Sequence, residues 1–156
     1  MMLKDSVFRH DRLWRYLPLL LWIVFISFAS TAEFSAVNTS TVLRPLVLWF
    51  LPTISEAKLA TVHFILRKLA HFTEYAILAY LARRAFISSS HGLLRRYWFQ
   101  WALGLVVAYA LLDEFHQSFV PSRTASIYDS VIDVAGGIAI LLFMKLFRGG
   151  MSSRLA

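Results

Sequence analysis

The chain contains no cysteine. That excludes disulfides, thiolate metal sites and thiol nucleophiles, and it leaves the redox compartment unreadable. Charge is scarce as well: Asp, Glu, Lys and Arg make up 16% of the 156 residues, against about a quarter in an ordinary soluble domain. What fills the space is apolar. Hydrophobic residues reach 58% and the mean hydropathy is +0.61, which points to an integral membrane protein. At this length a second, soluble domain would leave too few residues for several spans, so residues 1–156 read as one compact membrane bundle. The net charge of +7 does not imply a nucleic-acid partner. The basic residues flank apolar runs instead of forming one basic face, which is the pattern of topology signals.

In chain order, Lys4, Arg9, Arg12 and Arg15 precede an apolar run from Tyr16 to Ala29. Ser30, Thr31 and Ala32 follow, small enough for a signal-peptidase site, so cleavage is the alternative to a retained first span. Glu33 to Ser40 reads as a polar loop. Leu43 to Pro52 is apolar but too short to cross and is interrupted by proline, so it is expected to be interfacial or re-entrant. Thr53 and Glu56 have capping-box spacing and should open a long helix from about Ser55 to Phe86. Arg83, Arg84, Arg95 and Arg96 bracket a short loop, a third span follows from Tyr97 to Leu112, and a fourth runs from Ile127 to Phe147. Lys145, Arg148 and Arg154 close the chain. The positive-inside rule then puts both termini in the cytoplasm. The fold class expected is all-α, a bundle of four transmembrane helices with a short interfacial segment between the first two. No internal repeat is evident.

The stretch Asp113–Arg123, DEFHQSFVPSR, concentrates ionisable groups directly after a hydrophobic helix. Polar groups at such a place are costly and mark function by default. Counting along the helices from the cytoplasmic anchors puts Glu74 and His71 roughly 14 and 18 Å above the inner boundary, Asp113 and His116 near 25 and 30 Å, and Asp133 and Asp129 near 18 and 24 Å. Three helices thus bring ionisable groups to the outer half of a core about 30 Å thick. Lys68, His71 and Tyr75 share a helical stripe, with Glu74 at its edge. Asp113, His116 and Gln117 share another, and Asp129, Asp133 and Gly136 a third. Glu114 points elsewhere, toward Gln117 or Arg123, and Arg123 is a partner for Asp129 or a lipid phosphate. Gly104, Ala108, Gly136 and Gly137 are small enough to let helices approach closely.

At these residues the sequence resembles the VanZ-like family of small bacterial membrane proteins. Three blocks carry the likeness: K-x-x-H-F-x-E-Y (Lys68, His71, Phe72, Glu74, Tyr75), D-E-x-x-Q-x-F-x-P-x-R (Asp113, Glu114, Gln117, Phe119, Pro121, Arg123) and D-x-x-x-N-x-x-G (Asp129, Asp133, Gly136). Together they lie within residues 59–142. Asp133 stands where the family commonly has asparagine, and Ile140 where a glycine is frequent. The family is named for a protein associated with low-level resistance to the glycopeptide teicoplanin. The resemblance therefore implies a bacterial inner-membrane, cell-envelope setting; it does not supply a reaction.

The leading expectation is a polar site facing the outer leaflet that binds, and in an enzymatic version modifies, an envelope lipid or a lipid-linked saccharide. Lys68, Tyr75, Gln117, Arg123 and Asp133 are the candidate substrate-binding residues, the two cations holding an anionic head group. His71, Glu74, Asp113, Glu114, His116 and Asp129 are the candidate acid–base residues. No cofactor is expected. A metal held by His71, Glu74, Asp113 and His116 is the weaker alternative, on two i, i+3 ligand pairs. A non-enzymatic binding or shielding protein is the second class. A small transporter is the third, disfavoured because the inner half of the spans is nearly all apolar.

Overall fold

In the computed structural model the described residues are 2–123 and 125–152, with side chains described for 13–36, 38–123 and 125–147. The C-terminal Arg154 lies outside them. All regular structure among the described residues is helical: α1 (Met2–Ala29), a 3₁₀ turn (Ala32–Phe34), α2 (Ala36–Phe50), α3 (Glu56–Ile87), α4 (Gly92–Arg96), α5 (Trp98–Gln117) and α6 (Ile127–Ser152).

The centre is built from α3, α5 and α6, with α1 laid against α3. Alanines make this close packing possible. Ala79, Ala82 and Ala85 on α3 and Ala102 and Ala110 on α5 are buried around Leu78, Val106 and Leu141. The tightest approach is at Gly136, where an added Cβ would stand 2.1 Å from the Phe72 carbonyl oxygen. At Gly137 the same atom would meet the Val106 side chain at 2.7 Å. These two glycines fit the expected role. Gly104 does not: nothing lies within 4 Å of its Cβ position, and Ala108 is exposed. The packed face of α5 runs instead through Ala102, Val106 and Ala110.

Burial is inverted relative to a water-soluble protein. Asp113, Glu114, Gln117, Asp129 and Asp133 are buried, Asp133 to 0% exposure, while Trp49 is 77% and Leu146 73% exposed. Among the described residues one helix, at Ile127–Phe147, is long and apolar enough to cross a membrane, with mean hydropathy 2.0. Leu13–Ala29 and Ala32–Phe50 pass the same test only as a pair bent by 69°. Helices α3 and α5 carry the polar residues of the site, which dilute their apolar runs.

Two local expectations are corrected. The polar stretch 33–40 is a cap and a helix start, not a loop: Ser35 accepts from the Asn38 amide at 3.4 Å and the Thr39 hydroxyl back-bonds to the Ser35 carbonyl at 2.8 Å. The helix then continues through Pro45. The carbonyl deprived of a donor belongs to Thr41, an exposed residue beside exposed Pro45, so the lost bond is not a buried one. The capping box is not formed either. Ser55 is the N-cap of α3, without a side-chain bond, and Glu56 turns to Arg44 in a bidentate pair at 2.6 and 2.7 Å. As the shared stripe of Asp113, His116 and Gln117 implied, α5 runs on to Gln117.

Candidate functional site

Asp113 is the hub of the outer end. The Ser30 hydroxyl donates to its Oδ1 at 2.5 Å and the Gln117 amide to its Oδ2 at 2.9 Å. One bond is within a turn of α5 and the other ties α5 to the end of α1. Glu114 faces the other way, where its Oε2 accepts the Ser126 amide at 2.6 Å. That bond fixes the start of α6, since the Asp129 amide is in turn bonded to the Ser126 carbonyl at 2.7 Å. The expected partners Gln117 and Arg123 are engaged elsewhere.

Arg123 does not pair with Asp129. Its guanidinium donates to the backbone carbonyls of Ala29 and Thr31, the latter at 3.2 Å from Nε. Those carbonyls close the C-terminal end of α1, where orphan acceptors and the negative end of the helix dipole favour a cation. Burial, and next the charge of Arg67, push the Arg123 guanidinium below its ordinary value, yet it stays protonated throughout the working range. Asp129 takes Lys68 as its ion-pair partner instead. The Lys68 side chain is 25% exposed, so it is turned inward and does not reach out to head groups.

His71 turns toward α6. Its Nδ1 lies 3.2 Å from Asp133 Oδ1, a charge contact and not a hydrogen bond, and both Asp133 oxygens and the Tyr75 hydroxyl are buried without a hydrogen-bond partner among the described residues. With His71 protonated the contact is an ion pair, which offsets the cost of burying the Asp133 oxygens. Tyr75 is 0% exposed and packs 6.3 Å from the Tyr109 ring. It is a core residue, not a cavity-lining one.

Two cavities flank this network. The first, about 110 Å³, is lined by Arg67, His71, Glu74, Ser30, Gln117 and Arg123, with Phe34 and Thr39 at the α2 side. The second, about 340 Å³, is lined by Ser27, Thr31, Tyr109, Leu112, Asp113 and His116. The Ser30–Asp113 bond spans the wall between them. His116 is exposed on the far side of that wall from His71, so the expected common face of Asp113, His116 and Gln117 is split. The four-residue metal set is split with it. Asp113 spends both oxygens on Ser30 and Gln117, His71 faces Asp133, and no group of three or more His, Asp or Glu residues with metal-binding geometry occurs among the described residues.

The geometry therefore gathers His71, Glu74, Gln117 and Arg123 around one cavity, with Asp113 and Asp133 directly behind it. Lys68, Asp129 and Glu114 brace the α3, α5 and α6 contacts. Two lining residues were not singled out from sequence. Arg67 precedes His71 and Glu74 at i, i+4, i+7, a stripe visible in the sequence but one turn face away from that of Lys68. Its guanidinium spends one donor on the Phe34 carbonyl at 3.3 Å. Ser30 gave no signal, because nothing in sequence pairs positions 30 and 113.

A family model described as VanZ/LLP1 matches residues 13–148. No curated protein and no solved structure matches the chain.

Proposed function

The chain belongs to the VanZ/LLP1 family, and from that premise we propose that it is a multi-pass protein of the bacterial inner membrane whose smaller cavity binds the anionic head group of an envelope lipid or lipid-linked saccharide. In this reading α1, α3, α5 and α6 cross the bilayer, both termini are cytoplasmic, and α2 with the start of α3 stands at the outer surface. The inverted burial supports it: lipid tails cover an exposed belt of Trp, Phe and Leu, and the carboxylates turn inward. So does the basic clustering at Arg83, Arg84, Arg95 and Arg96. The first span is then a retained part of the site through Ser30.

The observation that carries the binding reading is the presence of Arg67 and Arg123 on one cavity wall, close enough for one charge to act on the other. Two guanidinium groups beside an imidazole and an amide match the oxygens of a phosphate. A second reading, catalysis, rests on a different observation. His71 lines the cavity with the buried Asp133 carboxylate at 3.2 Å behind it, the arrangement of a general base held by an acid. Any contribution to glycopeptide resistance would come through an envelope lipid held or altered at the outer surface.

Calorimetry on the protein in lipid nanodiscs tests the binding reading with butyl phosphate as ligand. Wild type binds, and Arg67→Gln weakens binding about 10- to 100-fold, the range for one charge-assisted contact. Equal affinity of the two proteins would overturn it. His71→Gln retains most of the affinity, because the cations remain.

A further inference from the structure

Along α3, the residues that line the head-group cavity continue a stripe that begins at the other end of the helix. Glu56, Leu59, Ala60, His63 and Leu66 line a third cavity of about 220 Å³, completed by Ser40, Leu43, Arg44 and Val47 of α2. Arg67, Ala70, His71 and Glu74 line the first. Successive positions are three residues apart or adjacent, with adjacent pairs at 59/60, 66/67 and 70/71, so both cavities lie on one face of α3. The partition between them is thin. Thr39, from the head-group cavity, and His63, from the third cavity, are joined Oγ1 to Nε2 at 3.1 Å.

The chemistry changes across that partition. On one side are two guanidinium groups. On the other, Leu43, Val47, Leu59, Ala60 and Leu66 form an apolar trough whose only charges, Arg44 and Glu56, neutralise each other in the bidentate pair at its far end. That pair is exposed, and the Arg44 guanidinium holds the Glu56 carboxyl below its ordinary value, so both remain charged at neutral pH and the trough stays electrically neutral.

On the topology proposed above, most of this trough stands beyond the bilayer tails. At 1.5 Å per residue about 30 Å separates Arg83 from His63, one full hydrocarbon thickness. The trough at Glu56–His63 therefore rises beyond the outer boundary on the topology proposed above. An apolar surface there needs an occupant other than water or resident tails.

We propose that this trough takes one hydrocarbon chain of the same ligand whose anionic group occupies the Arg67–Arg123 cavity, turned outward along α3 and covered by α2. The ligand class is an anionic amphiphile with a chain free to leave the bilayer. The Thr39–His63 contact is the boundary between head and tail. This rests on the head-group reading. The trough has room for roughly seven groups of about 30 Å³ each, so it fills at about that many carbons.

The test is inorganic phosphate and a series of alkyl phosphates from butyl to decyl, titrated into the nanodisc protein and into Leu59→Trp and Val47→Trp variants. Both substitutions put bulk into the trough, and neither residue lines the head-group cavity. Wild type should gain about fourfold in affinity per added CH₂ up to about seven carbons and then level off. Both filled variants should bind inorganic phosphate, which has no chain, as wild type does but gain little with alkyl length. Thermal unfolding midpoints near wild type show that the variants are folded. Butyl phosphate binding with no length dependence in wild type, or an unchanged length dependence in both variants, overturns the proposal while leaving the head-group reading intact. No binding of butyl phosphate by wild type would overturn the head-group reading itself, and the proposal with it.

Discussion

A methyl group at position 136 would stand 2.1 Å from the Phe72 carbonyl oxygen, whereas one at 104 would meet nothing within 4 Å. Two glycines of similar sequence context thus have opposite roles. Gly136→Ala must push α6 away from the α3 backbone, at a cost of at least about 1–3 kcal/mol. Gly104→Ala should be neutral or stabilising by up to about 1 kcal/mol through helix propensity. Thermal unfolding of the two variants in one detergent checks the pair; equal midpoints would contradict the packing described. The distinction was not legible in sequence, because both glycines occupy helices that read alike. The same holds for partners. That Lys68, His71, Asp129 and Asp133 meet was readable from depth, but not that Lys68 takes Asp129 and His71 takes Asp133, since pairing depends on helix rotation. Arg67 was legible in principle, since it shares a helical stripe with His71 and Glu74.

At the scale of elements, the end of α1 is held by side chains from elsewhere. Ser30 bonds to α5, Trp22 Nε1 donates to the Glu74 carbonyl at 2.9 Å, and Arg123 clasps the carbonyls of Ala29 and Thr31. This clasp predicts that Arg123→Gln, besides weakening head-group binding, loosens the bend between α1 and α2. Hydrogen exchange should speed up about tenfold at Ser30, Thr31, Phe34 and Ser35, the loss of roughly one net hydrogen bond, with α5 and α6 unchanged. Unchanged protection at those four amides would show that the clasp is dispensable. The long helices were readable from their apolar runs and basic brackets, and α6 from hydropathy alone. Helix α2 was not, because Pro45 and the run of Ser, Thr and Asn imitate a loop when their hydrogen bonds are unknown.

For the whole molecule, three helices that each place polar residues toward one end converge on a common network, while many large apolar side chains are exposed. The sequence had enough information for that convergence because rise per residue is fixed. It did not show that the network is divided into two cavities by Ser30 and Asp113, which requires knowing where α1 ends in space. The account's central claim is that the smaller cavity holds an anionic lipid head group. Native mass spectrometry of the protein extracted from its own membranes tests this most directly. Wild type should carry a bound phosphate-bearing lipid that Arg67→Gln loses in most molecules; a bare wild-type protein, or the same lipid at the same occupancy in both, would contradict the claim.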